Sequence, residues 1–161
     1  MGELTEHAAA ELLHGQRDFF GTGATLSYRY RKEQLQKLKN AVLRFEPELE
    51  RALKEDLGKS RQESYLTEIG FVLSDISHTL RNLKKWMKPT RVRSPITVFS
   101  SKSRIEKQPY GIALIIGPFN YPFQLLIAPL TAAIAAGNCA VISPSAQTPH
   151  VSYAIRRLSL I

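Results

Sequence analysis

The chain has 161 residues, about one ordinary domain, and 43% apolar with 22% charged residues excludes an intrinsically disordered chain. One cysteine, Cys139, excludes an intramolecular disulfide and any multi-cysteine zinc site. A net charge of +8 would suit an acidic partner, yet no zinc finger, RNP-type aromatic motif or glycine–lysine phosphate loop accompanies it. The surplus is therefore read as solvated helix surface, and no nucleic acid partner is expected.

The opening residues carry Glu3, Glu6 and Glu11 and no lysine or arginine, unlike a secretory signal. A reducing, cytoplasmic location is the expectation. Residues 1–89 read as a helical segment. Leu35, Leu38, Val42 and Phe45 recur at spacings of three and four. Pro47 stands where a new helix could begin, with Leu49, Leu53 and Leu57 on its stripe and Gly58 as its stop. A third pattern runs from Gln62 to Trp86 through Leu66, Ile69, Leu73, Ile76, Leu80 and Leu83, and Pro89 ends it. Asp56 and Lys59 read as helix-end charges. His7, His14, His78 and His150 show no metal spacing, and no metal is expected.

Residues 90–107 change period. Val92, Ile96, Val98, Phe99 and Ile105 among Thr, Ser and Arg suggest two strands joined near Ser100–Ser103, a hairpin or extended arm. Pro95 makes the first strand an edge or a bulge.

Residues 108–161 form the third unit. From Gln108 to Ile155 there is no Asp, Glu, Lys or Arg. A membrane span needs about twenty unbroken apolar residues. Pro118, Asn120, Pro122, Gln124, Pro129, Gly137 and Asn138 break the run, so no membrane partner is expected. The alternative is a buried α/β core: strands Ile112–Ile116 and Cys139–Ile142 around a helix from about Pro122 to Ala136, stopped at Gly137-Asn138. Ser145–Thr148 could begin a further helix. The fold class is thus α/β: an N-terminal helical segment, a β-arm and the first βαβ unit of a Rossmann-like sheet. Such sheets carry about five or six strands, so two strands read as a truncated domain. Its open edges would favour a homo-oligomer.

Three motifs in order carry a family resemblance. Pro109-Tyr-Gly-Ile-Ala-Leu-Ile-Ile-Gly-Pro-Phe-Asn-Tyr-Pro122 resembles the aldehyde dehydrogenase signature in which a strand ends in Trp-Asn-Tyr/Phe-Pro. Ala-Ala-Ile-Ala-Ala-Gly-Asn, ending at Asn138, is similar to that family's next helix and stop, and Val141–Ser145 to its Val-Leu-Lys-Pro-Ser. Upstream, Gln16–Gly23 and Glu55–Lys59 resemble the class 3-like branch.

The resemblance implies an NAD- or NADP-dependent enzyme that oxidises aldehydes to carboxylic acids through a cysteine thiohemiacetal. Asn120 would donate its amide to the oxyanion, a contribution typically worth about a hundredfold to a thousandfold in rate. Ile116, Gly117, Pro118 and Phe119 would line the cofactor cleft, with Phe119 in the place of the family's tryptophan. Ser143 stands where the family has the lysine that binds the adenosine ribose, and Ala146 replaces an acidic residue, so weak adenosine binding is expected. The resemblance puts the nucleophile and the general base beyond Ile161, and no glutamate follows Glu106. Cys139, at the entry of a buried strand, reads as a small hydrophobe instead. The 161-residue chain alone is therefore expected to be inactive. The competing reading is a non-catalytic self-association module.

Overall fold

The computed structural model describes residues 5–159. Helix α1 (Glu6–Gly21) starts at Thr5, whose hydroxyl accepts the Ala8 amide at 3.3 Å. Helix α2 (Tyr28–Leu57) is capped by the Ser27 side chain and stopped by Gly58 in the left-handed region. Pro47 lies inside α2, not at the start of a new helix. The bond a proline omits would go to the Leu43 carbonyl, and Leu43 is exposed, where water can serve that oxygen. Val42, Phe45, Leu49 and Leu53 meanwhile continue one buried stripe across the proline. Packing on both sides holds the helix together through it.

The Gln62–Trp86 pattern forms one helical run with an unforeseen widening. Helix α3 (Arg61–Ser64) opens into a π-turn (Tyr65–Ile69), where the Gly70 amide reaches back to the Tyr65 carbonyl, and continues as α4 (Gly70–Trp86). Strand β1 (Thr90–Val92) pairs antiparallel with β2 (Ser103–Ile105). Each is shorter than the sequence suggests. Ile96–Val98 form a 3-10 turn, and the Ser94 hydroxyl ties the loop by accepting the Ser103 amide. Local serine hydrogen bonds compete there with an extended ladder.

Strand β3 (Ile112–Ile116) and β4 (Cys139–Ser143) pair in parallel, joined through α5 (Gln124–Ala136). This is the expected βαβ unit. Helix α6 (Pro149–Ser159) begins after the Ser145–Thr148 turn rather than within it. Helix α2 packs on α4, α5 and α6, and α5 covers β3 and β4. Ala113, Ile115, Ala140 and Ile142 face that helical core, whereas Ile112, Leu114 and Val141 face α1. The α1 side is incompletely covered: Leu114 remains 66% and Ile116 71% exposed. No helix among the described residues is long and apolar enough to cross a membrane.

The ends of the charge-free stretch are satisfied by charges from the helical segment. At the C-terminus of α5, the buried Arg31 guanidinium donates to the Ala135 carbonyl at 3.1 Å and to Thr25 O at 2.8 Å. A cation there also complements the helix dipole. Gly137 must be glycine: its φ is +90°, and a Cβ would lie 2.3 Å from the guanidinium. At the start of α6, Asp56 accepts the amides of Val151 (2.8 Å) and His150 (3.3 Å) and meets the His150 ring at 2.7 Å. It is an N-cap supplied from another helix.

Arg31→Met should lower stability by about 2–4 kcal/mol, since two charge-assisted bonds are lost. Arg29→Met, at an exposed pair with Glu33, should cost under about 0.5 kcal/mol. Equal urea midpoints for the two variants would refute this difference. The Asp56 hydrogen bond raises the His150 pKa above its ordinary value. A raised folded-state pKa gives stability that is complete below about pH 6.5 and is lost as pH rises through the raised value. NMR titration should find His150 titrating high, and returning toward ordinary in Asp56→Asn.

Candidate functional site

The parallel register sets Ile116 opposite Ser143, at the carboxyl ends of both strands. The Gly117 amide then donates to the Ser143 carbonyl at 2.9 Å, extending the ladder by one bond. Gly117 is buried against α5, where a Cβ would come within 3.1 Å of Leu126. A small residue at this point lets the strand end and the helix approach closely. Beyond it, Pro118, Phe119 and Asn120 turn outward, and all are exposed, as is Ser143. Ile116, Gly117, Pro118, Phe119, Asn120 and Ser143 thus share one end of the sheet, the crevice where open α/β sheets take ligands.

Two residues that the sequence did not assign to the site, Glu68 and the expected helix-end charge Lys59, hold this loop. Glu68, on the π-turn, is fully buried, and Lys59 nearly so. Their side chains form an ion pair through Lys59 Nζ and Glu68 Oε1. The other Glu68 oxygen accepts the amides of Phe123 (2.9 Å) and Gln124 (3.2 Å), the first donors of α5. Lys59 Nζ also donates to the Asn120 carbonyl at 3.3 Å and lies 4.2 Å from the Tyr121 ring centroid. Lys59 is thus buried within the fold and is not merely a helix-end charge. The available signal was negative. A helix whose own stretch has no charge needs an acceptor for its first amides from elsewhere.

Cys139 begins β4 at the opposite end of the sheet, paired with Ile112. Burial pushes its thiol pKa up, which disfavours the thiolate a nucleophile needs. Asn138 closes that end, accepting the Gly111 amide at 3.0 Å. From the first turn of α5, a cavity of about 1360 Å³ runs along α4 and α5, lined by Phe71, Asp75, Trp86, Leu125 and Ala128. Burial raises the Asp75 pKa within it. Among the described residues no group of His, Cys, Asp or Glu could hold a metal. The arrangement therefore offers an exposed Asn120 loop at the strand ends and, along α4 and α5, a cavity of mixed lining.

The aldehyde dehydrogenase family model matches residues 3–159. The 4,4'-diaponeurosporen-aldehyde dehydrogenase of Staphylococcus aureus is 48% identical over 145 residues, which are 90% of this chain and 32% of that protein. Family 3 member H1 of Arabidopsis thaliana is 37% identical over 93% of this chain and 31% of its own length. The substrate-bound structure of Staphylococcus aureus AldH superposes with a TM-score of 0.91 at 47% identity, covering 93% of this chain and 33% of that one. A succinic semialdehyde dehydrogenase from Streptococcus pyogenes, solved with NADP+, shares the fold at 17% identity and TM-score 0.85, covering 99% of this chain and 34% of its own. The chain spans about a third of the length of the relatives it matches. With the family model matching residues 3–159 and a relative 48% identical over 90% of the chain, this chain belongs to the aldehyde dehydrogenase family.

Proposed function

We propose that this chain is the N-terminal part of an NAD(P)-dependent aldehyde dehydrogenase that converts aldehydes to carboxylic acids. Its own contribution is one wall of the cofactor crevice and the oxyanion donor. The observation that carries the reading is the Asn120 loop. Its backbone oxygen is held by Lys59, which leaves the side-chain amide available to a ligand. An amide fixed at a strand end can meet negative charge developing on a carbonyl oxygen without reorganising.

The strand ends suit part of a dinucleotide. Ile116 and Phe119 offer exposed apolar surface, and Ser143 offers a hydroxyl for a ribose. No lysine or arginine lies between Gln108 and Ile155 to meet a phosphate. Once bound, the nicotinamide dinucleotide supplies the hydride acceptor. This chain's part is to present the Ile116–Phe119 wall and the Ser143 hydroxyl to it. Asn120 and these five residues are thus the assigned site, with Ser143 as its weak member.

The nucleophile and the base are assigned to the part of the enzyme this chain does not span. Cys139 is unsuited on two counts, its position at the far end of β4 and its raised pKa. The units 1–89, 90–107 and 108–161 then act as helical support, oligomerisation arm and incomplete cofactor unit. The arm's apolar tips favour self-association, since Ile96 and Phe99 are each 88% exposed. A cytoplasmic enzyme is the matching location.

The test compares the full-length protein carrying this segment with residues 1–161 alone. NAD(P)H formation from an aldehyde should be seen with the first and be absent with the second. In the full-length protein, Asn120→Ala should lower kcat about a hundredfold to a thousandfold. Calorimetry of residues 1–161 should show no micromolar binding of NAD or NADP. Turnover by residues 1–161 alone, or an unimpaired Asn120→Ala enzyme, would overturn the assignment.

A further inference from the structure

The Asn120 loop has few bonds of its own. Pro118 and Pro122 lack amide donors, and Pro118, Phe119, Asn120 and Tyr121 are all exposed. A loop of that kind would ordinarily sample several conformations. Three bonds from outside restrain it. They join Lys59 to the Asn120 carbonyl and Glu68 to the Phe123 and Gln124 amides, from two side chains nine residues apart on either side of α3.

We propose that Lys59 is a positioning residue for Asn120, with Glu68 as the anchor that holds Lys59 in place. The inference rests on the oxyanion role argued above for Asn120. A buried ammonium has a large desolvation cost unless it is paired. Glu68 supplies the pair and, through its second oxygen, grips the first amides of α5 at Phe123 and Gln124. Lys59 therefore has a fixed address relative to α5. From there it reaches Asn120 O at 3.3 Å and packs against Tyr121. The loop is tied at both ends to one carboxylate, directly at Phe123 and through Lys59 at Asn120. Its span is set to that carboxylate, and so is the direction in which the Asn120 side chain leaves the backbone.

The π-turn belongs to the same device. Widening the helix at Tyr65–Ile69 accompanies the placement of a charged Glu68 at zero exposure next to the buried Ile69. π-turns are rare and recur at functional sites. Here one presents an acid inward beside the buried Ile69 and Val72. A misplacement of about 1 Å in a catalytic group can cost roughly a hundredfold in rate. A brace of this kind therefore bears on turnover more than on binding.

The test uses Lys59→Met and Lys59→Arg, with circular dichroism to establish that each folds. First, hydrogen exchange is followed across residues 117–124 of the 161-residue chain. Lys59→Met should exchange about tenfold faster or more there, with the α2 amides unchanged, and Lys59→Arg should restore most of the protection. Second, in the full-length protein, Lys59→Met should lower kcat by about tenfold to a hundredfold with KM nearly constant, again partly rescued by Lys59→Arg. Unchanged exchange at 117–124 in Lys59→Met overturns the positioning role, whatever the activity. Faster exchange with unaltered kcat upholds the brace and overturns the oxyanion role of Asn120 instead. If Lys59→Met does not fold, Glu68→Gln keeps the shape and removes the anchor's charge. It is expected to give the same local acceleration, and its absence overturns the proposal.

Discussion

The fold depends on charges crossing from the helical segment to a stretch that has none. Between Gln108 and Ile155 the chain holds no Asp, Glu, Lys or Arg, yet two helices begin there and one ends there. Helix ends leave amides and carbonyls without partners, and those near a core need an answer. Glu68 answers the first amides of α5, Arg31 the Ala135 carbonyl at its end, and Asp56 the first amides of α6. Each comes from α2, the loop after it or the π-turn that follows. Apolar burial supplies most of the free energy of such contacts, but it has no direction. These ion-to-backbone bonds have direction, and they fix how α5 and α6 dock.

That division of labour explains why the site lies where it does. β3 and β4 are short, and α5 approaches closely enough that a Cβ at position 117 would crowd Leu126 at 3.1 Å. The chain therefore leaves the sheet tightly and turns at once through Pro118-Phe-Asn-Tyr-Pro122. A loop so short cannot satisfy itself, so its geometry is borrowed from the layer beneath. The helical segment is in this sense part of the site's support, through Lys59 and Glu68.

Much of this was legible in the sequence. Continuous apolar runs marked β3 and β4, and Gly137-Asn138 marked the end of α5, because buried parallel strands and left-handed stops have local signatures. The α2 stripe was legible too, but not its continuity through Pro47. That depended on the orphaned carbonyl belonging to exposed Leu43, a matter of tertiary placement. Helix α1 gave no signal of comparable strength, since none of its residues is fully buried. In the arm, apolar Val98 and Phe99 suggested strand, but side-chain bonds from Ser94 turned the segment aside. The strand-end segment Ile116–Asn120 stood out by motif order. Lys59 and Glu68 did not, because a charged side chain in a loop or on a helix reads the same in sequence whether it faces water or a buried amide.

The same reasoning separates what makes this chain a family member from what it can do alone. The strand-end motif, the close packing at Gly117 and the borrowed caps are all complete within the described residues, so the local geometry around Asn120 does not wait for further chain. The outward faces are a different matter. Leu114 and Ile116 expose apolar side chains on the sheet, and the cavity along α4 and α5 lies open beside Leu125 and Ala128. Isolated exposed apolar residues are ordinary, but Leu114 and Ile116 lie two apart on one sheet face, and contiguous apolar surface of that kind suits a covering partner. The unit is thus braced beneath the Asn120 loop and leaves apolar surface open on the α1 side of the sheet.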